Sequence, residues 1–73
     1  MIQIQQVWVI QCKSTGHFLT TELGYCTSLK GAGRLHDYDE ALETASGNLE
    51  NDFELHTFYQ VDHRLLFEGR HYG

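Results

Sequence analysis

Three sets of side chains in this chain are of types that could do chemistry: five histidines, two cysteines and one dense run of carboxylates. Imidazole and thiolate are the preferred ligands of zinc, and a zinc site is usually announced by close spacings such as C-x-x-C or H-x-x-x-H. His17, His36, His56, His63, His71, Cys12 and Cys26 show neither spacing. The closest grouping is His56 with His63 and His71, which falls on an expected strand and on the end of the chain, where nothing forces convergence. No metal and no cofactor are expected, and the histidines read as scattered surface residues. A ligand- or metal-responsive domain using His17, His36 or His56 is the alternative function.

Nucleophilic catalysis needs a Ser or Cys, a base and an orienting group gathered in a cleft. Cys12 with His17 or His56 can be drawn as such a pair, but no nucleophile sits in a recognisable elbow, and 73 residues leave little room for a buried pocket. An enzyme is not expected. Gly31-Ala32-Gly33 lacks the further glycines of a phosphate loop, and the helix expected after it opens with carboxylates that would repel a phosphate. The formal net charge of −5 excludes the basic footprint that sequence-independent binding to duplex nucleic acid requires. The aromatics have few cationic neighbours, unlike those of single-strand-binding sheets.

The carboxylates are the informative set. From Asp37 to Glu54 the chain carries acidic residues at 37, 39, 40, 43, 50, 52 and 54 and no Lys or Arg. First-turn acids such as Asp39 and Glu40 favour a helix dipole, and a charged solvated face is ordinary. Neither accounts for Glu43, four residues from Asp39 and three from Glu40, in like-charge pairs that each cost roughly 0.2–0.5 kcal/mol. Asp39, Glu40, Glu43, Glu50, Asp52 and Glu54 are therefore the candidate partner-binding residues, suited to a basic surface. Tyr25 and Phe58 join them as the aromatics expected to be exposed.

The element that must position these acids is a helix within Gly33 to Asn51. Asp37 is placed to cap it, and Glu40 three residues on completes a capping-box-like pair. Tyr38, Ala41, Leu42, Ala45 and Leu49 recur at helical spacing and form its inner stripe, with Asp39, Glu40, Glu43 and Glu50 opposite. Gly47 or Asn48 is the expected stop. Ahead of the helix, Ile4 to Cys12 reads as a central strand, since Val7 to Ile10 is apolar on both faces. Lys13 to Gly16 is a turn in which Gly16 takes a positive φ, and His17 to Thr21 is the partner strand. Glu22 to Ala32 is irregular, with a short strand end at Gly24 to Thr27 and a single helical turn at Ser28 to Lys30. Gly33 to His36 is an extended lead into the cap. After the helix, Phe53 to Val61 alternates as a strand with Phe53, Leu55, Thr57, Tyr59 and Val61 on one face. Arg64 to Phe67 adds a short edge strand, and 68–73 is a frayed tail.

The fold class that follows is α+β: one small domain, with a strand-strand-helix-strand antiparallel sheet and one helix on one of its faces. Trp8 or Val7, Phe18, Leu55 and Tyr59 are the sheet's expected contribution to the core. The opening MIQIQQ has no basic region and no long apolar stretch. Neither a signal peptide nor a membrane span is expected, and a cytoplasmic setting with Cys12 and Cys26 as thiols follows. A domain this small is short of core, and the apolar run Leu65-Leu66-Phe67 needs cover. A homodimer sharing this edge is one expectation.

The succession Val7-Trp8-Val9-Ile10, Thr15 to Thr20, Gly24-Tyr25, Leu29-Lys30 with Ala32, and Asp37 leading into Glu40-Ala41 resembles the small orphan accessory proteins of bacteriophages and prophages. The resemblance covers about two thirds of the chain, and the segment after Asp62 lies outside it. It carries no catalytic signature. It implies a setting in which such proteins bind and block a host protein, defence machinery included.

Overall fold

The computed structural model describes the backbone of residues 4–61 and 64–72 and the side chains of residues 4–60. Its elements are β1 (Ile4–Cys12), β2 (Phe18–Leu19), β3 (Tyr25–Cys26), a single 3-10 turn (Leu29–Gly31), α1 (Tyr38–Leu49), β4 (Phe53–Val61) and β5 (Arg64–Tyr72). The strands form one antiparallel sheet in the order β3-β2-β1-β4, with β5 on the outer side of β4. With α1 against one face, the architecture is the α+β one expected.

The apolar run of β1 fits its central place. Val7, Trp8, Val9 and Ile10 are all buried. One side of β1 pairs with β4 along its whole length, from Ile4 opposite Val61 to Cys12 opposite Phe53. The other side is shared: Gln11 pairs with Phe18 of β2, and Trp8 exchanges both backbone bonds with Leu35, at 2.7 and 2.9 Å. The extended piece ahead of the helix thus continues the edge that two-residue β2 leaves open. Gly16 closes the first hairpin at φ 77°, its N–H donating to Cys12 O at 2.8 Å.

Because side chains alternate along a strand, the register assigns each residue to a face. Trp8, Ile10, Leu55 and Thr57 share the helix side, whereas Val7, Val9, His56 and Phe58 share the other. The core beneath α1 is Trp8, Ile10, Leu19, Ala41, Ala45 and Leu55, with Leu35, Leu49 and Phe53 packed around it. Two expected core residues are displaced from it. Phe18 pairs with Gln11 and so turns to the far face, which puts Leu19 under the helix in its place. Tyr59 is on the helix side but 44% exposed. A twelve-residue helix is about 18 Å long, and a nine-residue ladder is about 30 Å. The β1/β4 ladder overhangs the helix, and Ile4, Gln6 and Tyr59 lie on the overhang.

Asp37 caps α1, its carboxylate accepting from Glu40 N at 3.0 Å, while Trp8 and Tyr38 meet edge to face at 5.0 Å and seat the first turn. Ala41 and Ala45 have no exposed surface, so small side chains let the helix approach the sheet closely. Leu42, expected on the inner stripe, is 38% exposed at its margin. The helix runs past Gly47 and Asn48 to Leu49. Glu50 ends it at φ 56°, ψ −107°, and Asp52 N–H donates to Leu49 O at 2.9 Å, closing a turn of the II′ kind into β4. β5 pairs with β4 from Val61 opposite Arg64 to Leu55 opposite Tyr72, with an irregularity between Thr57 and Tyr59. Residues 68–72 are therefore strand rather than tail. The expected covering of Leu65, Leu66 and Phe67 concerns side chains outside the described residues, as does Gly73.

Candidate functional site

The helix carries its carboxylates where the periodicity places them. With Ala41 and Ala45 buried against the sheet, Asp39 and Glu43 point away from it and Glu40 flanks them, while Glu50 follows at the helix end; all four are exposed. Asp39 and Glu43 are one turn apart. Among the described residues none of the four forms an ion pair; the one such contact is Glu54 Oε2 at 3.8 Å from His56 Nε2. This surface can attract cationic groups and offers acceptors only.

The other expected partner-binding residues do not join that face. Asp52 turns inward to the β1–β2 loop. Its Oδ1 accepts from Ser14 N at 3.0 Å, and its Oδ2 accepts from Ser14 Oγ at 2.6 Å and from Cys12 Sγ at 3.2 Å. The hydrogen bonds from Ser14 and then from Cys12, with Lys13 nearby, hold the Asp52 carboxyl below the ordinary aspartate range. Lys13 N also donates to Asp52 O at 3.2 Å. Asp52 is thus a clamp between the hairpin loop and the start of β4. Glu54 lies on the sheet face away from the helix, half-buried beside His56, whose Nε2 is 2.8 Å from Gln11 Oε1. Phe58 is half-buried on that same face, with its ring 6.5 Å from that of His56. Tyr25 is 53% exposed on β3, at the sheet's opposite edge. Of the expected set, Asp39, Glu40 and Glu43 share the outer side of α1, with Glu50 exposed at its end.

In the sequence Asp52 reads as one more surface charge, and its cluster with Ser14 and Cys12 is not foreseen. A Ser two residues beyond the end of a strand and an Asp just ahead of the next strand are the only local signals of the cluster. Forty residues separate Cys12 from Asp52, so the pairing is written by the β1–β4 register alone. Cys12 and Cys26 are both free thiols, the first buried. His17 belongs to the hairpin loop, His36 precedes the helix cap and His56 faces away from α1. Among the described residues no three potential metal ligands come together. Nor is any described helix long and apolar enough to cross a membrane. Comparison with protein-family models, with curated proteins and with solved structures finds no match to this chain.

Proposed function

We propose that this protein is a small binding module that lays the outer face of α1 on a basic surface of a host protein and thereby inhibits or modulates it. The observation that carries this is the exposure of Asp39, Glu40 and Glu43 on the outer side of α1, with Glu50 exposed at its end, and no ion pair to any of them among the described residues. A fold gains little from such a face, because its like-charge pairs oppose helix formation. It does accelerate encounter with a positive partner. Glu50 adds support: it holds an exposed carboxylate at the helix end at backbone angles that glycine adopts more cheaply. The resemblance to phage accessory proteins supports a bacterial host cytoplasm as the setting and host machinery, defence included, as the target. Binding, not catalysis, is the activity, and the partner is a protein.

Affinity capture from bacterial lysate at low and at high salt tests this. The expected result is a specific protein retained at low salt, released at high salt, and lost when Glu43→Lys and Glu50→Lys are combined. A partner captured equally by the double variant removes the acidic face from the account.

Self-association is a second proposal, favoured by the position of β5 as the last of the strands, paired with β4 on one side. An unpaired edge invites a second copy to continue the sheet. Truncation after Asp62 is expected to lower the mass seen in sedimentation. A truncated chain that keeps both its original mass and its melting point excludes this dimer.

A further inference from the structure

We propose that His56 of β4 and His71 of β5 together form a binding site for a divalent transition-metal ion of the kind that prefers imidazole, such as zinc. In the sequence His71 falls at the end of the chain, with nothing to hold it near His56. The fold supplies the constraint: β5 runs to Tyr72, and the ladder sets Leu55 opposite Tyr72, His56 opposite His71 and Thr57 opposite Arg70. The register is even through these pairs, and the irregularity lies beyond them, between Thr57 and Tyr59. Residues directly opposite in an antiparallel ladder share a face and hold their Cβ atoms about 4.5–5.5 Å apart. From that separation two imidazoles can share one ion, at about 2.0–2.1 Å from each ligating nitrogen.

The surroundings of His56 fix which of its nitrogens can ligate. Gln11 Nε2 donates to Gly16 O at 3.0 Å, which turns the amide oxygen of Gln11 toward His56 Nε2, 2.8 Å away. That oxygen only accepts, so Nε2 carries the ring proton and the lone pair of the neutral ring lies on Nδ1. Glu54 Oε2, 3.8 Å from the same Nε2, favours the proton there as well. Histidines that bind metals are held in this way, with the N–H of the other nitrogen given to a carbonyl or carboxylate that sets ring and tautomer. The His56 side chain keeps 22% of its surface in contact with solvent.

As structure alone the pair gains little, because two protonated rings facing each other across a ladder repel. As a metal bridge it fastens β5 to β4 at the end of the ladder remote from Val61 and Arg64. A domain this small is short of core, and a metal is one of the staples that compensate. Imidazole suits zinc, copper and nickel, whereas magnesium and calcium take oxygen ligands.

The test is a titration of the tag-free, isotope-labelled chain with zinc chloride, followed by imidazole nitrogen and amide resonances, beside the same titration with magnesium chloride. One-to-one saturable shifts are expected at His56 and His71 with zinc and none with magnesium, His56 Nδ1 moving while Nε2 keeps its proton. His56→Gln and His71→Gln are each expected to weaken zinc binding about ten-fold or more, and Gln11→Leu about ten-fold through loss of the ring's orientation. Zinc should raise the melting temperature of the natural chain and not that of either His variant. Absence of saturable shifts overturns the proposal, and so do shifts confined to Cys26, His17 or His36, or an equal response to magnesium. A folded His71→Gln chain that binds zinc unchanged overturns it too; if that variant fails to fold, the natural chain decides, since saturation at His56 with His71 unmoved refutes the pair. None of these residues belongs to α1, so this outcome and that of the lysate capture are independent.

Discussion

Glu50 and Asp52 are separated by one residue, yet their carboxylates stand in opposite relations to the fold. Asp52 receives three hydrogen bonds from Ser14 and Cys12 and fastens the first hairpin loop to the start of β4. Glu50 is exposed, forms no ion pair among the described residues, and occupies a strained turn position at the end of a helix face that carries Asp39, Glu40 and Glu43. The comparison teaches that an acidic run is not one functional unit. What a carboxylate does depends on whether the topology brings donors to it, and here β1 brings them to Asp52 while solvent surrounds the helix face.

The sharpest way to break the contrast is Asp52→Ala. It strips Ser14 and Cys12 of their shared acceptor and is expected to give the largest fall in melting temperature of any single carboxylate substitution. Faster hydrogen exchange at Ser14 and Gly16 should accompany it. The charge part can be isolated with Asp52→Asn as a function of pH. The folded-state pKa of Asp52 is depressed, so its ionic contribution is complete above the unfolded value and is lost as pH falls through the folded one. The stability gap between the natural chain and Asp52→Asn should therefore be constant above about pH 4 and close below it. A gap that stays constant to low pH would show that Asp52 acts through shape and not charge.

Glu50→Gly tests the other member of the pair. Relief of the φ 56°, ψ −107° strain is expected to raise stability by about 1 kcal/mol in chemical denaturation while weakening partner capture. A destabilised Glu50→Gly would mean that the Glu50 carboxylate serves the fold as Asp52 does. The smallest effect is expected of Glu43→Lys. Replacing the like-charge contacts with Asp39 and Glu40 should add about 0.5 kcal/mol at low ionic strength, a gain that shrinks with added salt. A loss of stability instead would place Glu43 in a contact that the exposed helix face does not offer.

Local signals, carried by residues close in the chain, were sufficient for several features. The Asp37 cap, the helical stripe of Ala41 and Ala45, the positive φ of Gly16 and the alternation of β4 each depend on neighbours within a few positions, where propensity and periodicity act. The apolar run Val7 to Ile10 announced a central strand for the same reason, since only a strand covered on both faces tolerates it. The exposed outer placing of Asp39, Glu40 and Glu43 follows from the helical period alone, because a helix fixes that angle by itself; Glu50 lies beyond the helix end and is placed by its turn.

What only the tertiary structure decided depends on contacts between distant segments. Alternation says that Phe18 and Leu19 lie on opposite faces but not which face the helix covers; the Gln11–Phe18 register chose Leu19. Tyr59 has the right phase for the core and is exposed because the helix is shorter than the ladder beneath it. Helix length was itself set beyond the local code: the turn that hands the chain to β4 carried α1 past Gly47 and placed Glu50 where a glycine would have been cheaper. The inward turn of Asp52 and the facing of His56 by His71 exist only once strands and loops remote in sequence are brought side by side. No window of neighbouring residues contains the physical cause of either.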